Sequence, residues 1–263
     1  MVLVEDILEV PKNCIVNSVI PKKEVFEVAD LKNKDKRIFI DLIKQIKWCY
    51  NFTEDNIRVS KYIDEIRCYN EVELINITLK YNNVHKIDIN KFKEDDQIDR
   101  IAEIVMRFIP YPIMLTVQYD KELKFYAAHI RESKADYDKT VIDGKVLSTN
   151  WLNLDNLNEV EEDFISKIQF NNLRHDNFYN FYNSYFEAVV QHDGAIMAGG
   201  IVNLPVEEIE RIYEEISIIN LKIREIEKEI SEETNFNAKI ELNIKAHGFK
   251  QERLKLINEL KGE

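Results

Sequence analysis

From residue 205 onward the apolar positions fall into a strict rhythm. Ile209, Ile212, Ile216, Ile219, Ile223, Ile226 and Ile230 recur at steps of 3, 4, 3, 4, 3 and 4. That is the a/d seam of a coiled coil. Pro205 opens it at a position a helix tolerates, and Glu207, Glu208 and Glu210 occupy the first turns, where the helix dipole favours anions. The rhythm weakens at Ser231-Glu-Glu-Thr-Asn-Phe-Asn237. A second apolar set then follows: Leu242, Ala246, Phe249, Leu256 and Leu260, interrupted by Arg253. Two helices folded back on each other, or one long helix with a stutter, both satisfy this pattern. The turn-like Asn235-Phe-Asn237 cluster favours the hairpin. In either case an isoleucine seam needs a partner helix, in this chain or another.

Upstream the pattern changes period several times. Residues 1–30, punctuated by Pro11 and Pro21, read as extended or irregular. Phe39, Leu42, Ile43, Ile46, Cys49 and Tyr50 share one face of a helix starting near Lys34. Residues 57–60, 64–68 and 72–81 read as strands; in the last, Ile75, Ile77 and Leu79 alternate with Asn76, Thr78 and Lys80. A helix over 95–109 carries Ile98, Ile101, Ala102, Val105 and Phe108 on one face and stops at Pro110 and Pro112. Residues 113–119 are almost wholly apolar, as in a strand buried on both faces, and Asp120-Lys-Glu122 turns the chain into a hairpin partner over 123–130. Residues 131–150 read as a loop or edge strand, residues 155–191 as aromatic-rich helix, and residues 194–200 as a break. The predicted class is α+β. A mixed sheet domain with flanking helices spans 1–150, an aromatic helical region 151–203, and a helical hairpin or coiled-coil arm 204–263.

The net charge of −12 argues against a protein that coats nucleic acid by bulk electrostatics. It leaves room for a local patch, and residues 22–47 are the one basic stretch, with Lys22, Lys23, Lys34, Lys36, Arg37, Lys44 and Lys47 as candidate phosphate contacts. A solvated helix face explains the same residues more simply. Cys14, Cys49 and Cys68 read as reduced thiols of a cytoplasmic protein. No run reaches membrane-spanning length.

The order helix, three strands, helix is also the outline of the PD-(D/E)xK nucleases. That chemistry needs one carboxylate on a strand and a Glu-x-Lys pair on the next, to hold a divalent ion and assist the attacking water. Asp64 or Glu65 could supply the first acid, but the pair falls on Thr78 and Lys80, and a neutral threonine does not replace an anionic ligand. His85, His129, His175, His192 and His247 lack metal-ligand spacing. No nucleotide-binding glycine loop or nucleophile elbow is present. The expectation is therefore no catalytic residues, no metal and no cofactor. Phe178, Tyr182, Tyr185 and Phe186 are spaced for a packed helix face rather than for base stacking.

Several stretches, in order along the chain, resemble a bacterial family, the domain of unknown function 4391. They are Val10-Pro-Lys12, Ile20-Pro-Lys-Lys23, Ile77-Thr-Leu-Lys80, Phe108-Ile-Pro-Tyr-Pro-Ile113, Thr149-Asn-Trp151 and Glu233-Thr-Asn-Phe-Asn-Ala-Lys-Ile-Glu-Leu-Asn243. The resemblance implies companionship with superfamily-2 helicases and DNA methyltransferases in restriction-like, anti-phage gene clusters, and carries over no catalytic residues. The expected function is a non-catalytic accessory subunit that binds a helicase or methyltransferase partner through the arm and contacts DNA through the basic stretch. A metal-dependent nuclease of degenerate type and a self-associating scaffold are the alternatives.

Overall fold

The computed structural model describes residues 7–29, 31–80, 96–133 and 140–262. Its centre is a mixed sheet in the order β1 (Ile15–Ile20), β2 (Ile43–Thr53), β5 (Glu71–Leu79), β6 (Ile113–Tyr119), β7 (Glu122–Glu132) and β8 (Thr140–Ser148). A short β9 (Leu152–Asn153) adds to β7. Among the described strands of this sheet only β5 and β6 run parallel; the other pairs are antiparallel. All seven residues of β6 are buried, as a strand enclosed on both faces requires. A two-stranded ribbon of β3 (Tyr62–Ile63) and β4 (Cys68–Tyr69) precedes β5.

Each sheet face has its own core. Ile75, Ile77, Leu115 and Val117 pack with Phe39 of α2 (Asn33–Leu42) and with Ile98, Ile101, Ala102 and Val105 of α4 (Asp96–Phe108). On the other face Leu74, Met114 and Phe125 meet Phe164 of α5 (Glu159–Ile168) and Phe178, Phe181, Tyr182 and Tyr185 of α6 (Phe178–Ala198). The aromatic helices therefore share the sheet's core.

Five local expectations are corrected. Residues 1–30 contain β1 and the short helix α1 (Lys22–Val28), with Pro21 at its N-cap. The helix begun near Lys34 ends at Leu42, and Ile43, Ile46, Cys49 and Tyr50 belong to β2. Register shifts at Ile43/Gln45 and at Trp48/Tyr50 break the two-residue alternation of this strand, so its buried positions mimic helical spacing. Residues 57–60 are not a strand: α3 (Glu54–Ile57) ends there, and Ser60 makes one isolated bridge. Of the strand expected over 64–68, residues 64–67 form the turn of the β3–β4 ribbon and only Cys68 is extended, as the first residue of β4. The break expected over 194–200 begins only at Gly199 (φ 75°). Within α6, a Cβ on Gly194 would come within 2.8 Å of Ile209 Cγ2, so glycine is needed there for close approach.

A bulge in β7 opposite β8, between Ala127 and His129, takes the Ala128 peptide off the ladder. The Tyr182 hydroxyl replaces the lost partners. It accepts from Ala128 N at 3.0 Å and lies 2.9 Å from Ala128 O and 3.1 Å from Ile113 O, to one of which it donates. Tyr182→Phe leaves buried backbone groups unsatisfied, and a loss of roughly 2–3 kcal/mol in urea unfolding is expected. A change under half a kcal/mol would mean that the hydroxyl is dispensable.

Contacts divide the chain into residues 1–189 and 190–263. The second unit holds the last turns of α6 and an antiparallel hairpin of α7 (Val206–Glu232) and α8 (Phe236–Lys261).

Candidate interaction surfaces

The hairpin closes the isoleucine seam within the chain. Ile209, Ile212, Ile216, Ile219 and Ile223 are buried, and Ile226 and Ile230 are half-buried toward the tip. Ala246, Leu256 and Leu260 face them, while Leu242 and Phe249 are half-buried. Arg253, which interrupts this set, donates to Asn220 Oδ1 at 3.1 Å. Arg211 pairs with Glu259, Lys250 Nζ lies 2.8 Å from Glu227, and Lys222 sits 5.3 Å from the centre of the Phe249 ring. At the tip the Asn235 side chain accepts from Asn237 N and Ala238 N, capping α8.

With the seam satisfied, apolar side chains remain outside. Ile218 and Leu221 of α7 are exposed, as are Phe236, Ile240, Ile244 and Leu254 of α8. Ile218 and Leu221 lie between Glu214 and Glu225, roughly opposite the seam at about 100° per residue.

The basic stretch is not gathered on one face. Lys22 donates to Ile43 O, and Lys23 pairs with Glu27 at 3.5 Å. Burial and the nearby Lys80 hold the Lys22 ammonium below its ordinary range. Lys47 is half-buried in β2 and has an interaction partner. Lys34, Arg37 and Lys44 are exposed, and Lys36 is half-exposed. On α2, Lys34 and Arg37 lie near each other while Lys36 points away, since 200° separates residues two apart.

Lys34 lines a groove of about 600 Å³ between α2, α4 and β8. Lys34, Arg100, Arg107 and Lys145 face Asp35, Asp96, Asp99 and Glu103 there, so the charges balance. Most are engaged: Arg100 binds Asp35 and Glu103, Arg107 binds Glu103, and Asp99 takes bonds from Lys124 (2.7 Å) and Tyr126 (2.6 Å). The groove thus offers a mixed surface, not an anion site.

The residues of the nuclease alternative are far apart. Asp64 Oδ1 accepts from Ile66 N (2.8 Å) and Arg67 N (2.7 Å), closing the β3–β4 turn, and those bonds hold its carboxyl below the usual range. Glu65 is exposed on the same turn. Lys80 lies past the other end of β5 and donates to Ile40 O, one of the last carbonyls of α2, where a cation suits the helix dipole. The nine residues of β5 span about 25–30 Å between these sites. Thr78 accepts only a long contact, 3.4 Å, from Asn76.

The histidines among the described residues are separate. His129 Nδ1 lies 2.9 Å from Tyr69 Oη, and its Nε2 lies 3.0 Å from Asn183 Oδ1. Burial pushes its pKa down to about 4, so the ring is neutral and packed. Burial does the same to His192. His85 lies outside the described residues. Among those residues no group of three or more His, Cys, Asp or Glu is placed to hold a metal ion. Cys14, Cys49 and Cys68 form no disulfide with one another. No helix of the described residues is long and apolar enough to cross a membrane.

One buried acid escaped the sequence reading. Glu73 is 3% exposed; its carboxylate accepts from Trp48 Nε1, and Asn51 Nδ2 bridges it to Glu71 at 3.1 Å to each. Burial raises its pKa to about 8, against the Trp48 bond and with help from Glu71. The alternating pattern gave no sign of it, because an acid at the first turn of a strand looks like a solvated end.

The family model described as Domain of unknown function (DUF4391) matches residues 8–252 of the 263-residue chain. The chain belongs to this DUF4391 family. No curated protein and no solved structure matches it. In this DUF4391 chain several of the stretches that carry the resemblance fall at turns and element ends. Pro112 O, in the turn into β6, accepts from Glu73 N at 3.0 Å. Thr149 is 2% exposed, and its hydroxyl accepts from Phe125 N (3.1 Å) and donates to Asn150 O (2.7 Å), fixing the exit from β8. Residues 233–243 build the arm's tip.

Proposed function

We propose that this DUF4391 protein is a non-catalytic accessory subunit of a bacterial anti-phage, restriction-like complex, and that its arm docks a helicase or DNA methyltransferase. The observation that carries the reading is the outer surface of the hairpin. An arm whose own seam is complete has no internal use for Ile218 and Leu221, which are 53% and 56% exposed. An apolar pair between acidic residues suits a protein partner. The partner's class comes from the family resemblance. The exposed Lys34, Arg37 and Lys44 supply a weak, salt-sensitive contact to DNA beside that partner. The separation of Asp64 from Lys80 weighs against the nuclease alternative.

The test is co-expression with any helicase or DNA methyltransferase found to be encoded beside the gene. Stable co-purification is expected, with at least a tenfold loss of affinity on Ile218→Asp with Leu221→Asp, about 1.4 kcal/mol or more. Absence of a complex with either product would refute the reading.

A further inference from the structure

Gly248 is exposed in the middle of α8, a 26-residue helix. Its φ is not positive, and a Cβ there would meet nothing within 4 Å. The fold of the single chain therefore does not require glycine at this position, although glycine is among the poorest helix formers. A glycine on an exposed helix face allows another backbone to approach closely.

The side chains around Gly248 indicate which backbone. At about 100° per residue, Glu241, Ile244, Gly248 and Lys255 fall within an arc of about 60° on the side of α8 away from α7. Ile240 flanks this arc on one edge; Lys245 and Glu252 flank it on the other. Ile240 and Ile244 are 44% and 67% exposed. Glu241 stands seven residues before Gly248 and Lys255 seven after it; Lys245 stands three before and Glu252 four after. Among the described residues none of these four charges makes an ion pair. The sequence of charges is thus opposite in sign on the two sides of the glycine.

We propose that α8 pairs antiparallel with α8 of a second copy of this chain, about a two-fold axis at Gly248. An antiparallel two-fold pair brings like edges of the two helices together and puts residues at equal distance from the axis side by side. Glu241 of each copy then meets Lys255 of the other about 10 Å from the crossing, and Lys245 and Glu252, about 4.5 and 6 Å from it, come within one residue's rise of each other. Ile240 and Ile244 are covered, and Gly248 lets the helices cross closely. A parallel pair would put Glu241 beside Glu241 and Lys255 beside Lys255, at equal heights. The proposal goes beyond the accessory-subunit reading: it needs no other protein, and it leaves Ile218 and Leu221 on α7 free.

Sedimentation and light scattering of the purified full chain, at low ionic strength and tens of micromolar, provide the test. A dimer is expected. Gly248→Leu improves helix propensity, so the protein stays folded by circular dichroism, but the dimer is lost. Glu241→Lys or Lys255→Glu alone weakens the dimer by about tenfold or more, since each reversal acts twice across the axis. Glu241→Lys with Lys255→Glu restores it, because the charges are again complementary. A monomeric wild type, a dimer that survives Gly248→Leu, or a double reversal no stronger than the single ones would each overturn the proposal. Co-purification with a neighbouring gene product depends on none of these outcomes.

Discussion

Ile219→Lys is expected to melt the arm. Ile219 is 4% exposed in the middle of the seam that α7 closes against α8. The substitution removes a buried aliphatic side chain and sets an ammonium among isoleucines. The lost packing and the stranded charge together cost on the order of 4 kcal/mol. Lys222→Ala, three residues on, removes only a cation over the Phe249 ring, worth about 0.5–1 kcal/mol at an exposed site. Thermal unfolding followed by circular dichroism should separate the two clearly, because the hairpin supplies much of the helix. Equal melting midpoints would mean that the seam is not a packed core.

The second large effect is a dependence on pH centred on Glu73. In the unfolded chain this carboxyl ionises near its ordinary 4.5; burial in the fold raises it to about 8. Between these values the folded state holds a proton that the unfolded state has lost. Stability is therefore greatest below about 4.5 and falls as pH rises toward 8, with a slope of up to about 1.4 kcal/mol per pH unit from this group. Over the whole window the contribution is several kcal/mol at most, since Trp48 and Asn51 donate to the carboxylate and soften its burial. Glu73→Gln keeps the shape and a neutral acceptor. It should flatten urea midpoints between pH 5 and 8 and leave the variant more stable than the wild type at pH 8. Parallel pH curves for the two proteins would show that Glu73 is ionised in the fold at neutral pH.

The elements legible in the sequence are those whose period is unbroken. The isoleucine seam, the apolar run of β6 and the amphipathic α4 each follow one rhythm from end to end. The strand β2 does not. Its two register shifts give its buried residues the spacing of a helix, and only pairing with β5 resolves the ambiguity. The tyrosine that repairs the β7 bulge was visible only as one aromatic in a packed helix, because its hydroxyl partners lie more than fifty residues away. Lys80 looked like the water-assisting lysine of a nuclease pair because strand order alone does not show that it caps α2. The outer face of α8 was hidden for another reason: His247, Gly248 and Gln251 interrupt its apolar residues, so no hydrophobic period marks it.

The polar pair inside the seam has a consequence for the tip of the arm. Sliding α8 by one heptad would set Asn220 opposite Ala246 or Leu260 and carry the Arg253 guanidinium away from its amide. Alignment of the two helices is therefore dictated from within the seam, and the connector at residues 233–235 has no measuring role. Lengthening a connector raises its closure cost only slowly, by about 0.6 kcal/mol per doubling. The tip can thus accept inserted residues, or an entire folded passenger, while both helices keep their mates, which makes it the place where this arm could acquire new cargo without relearning how to fold.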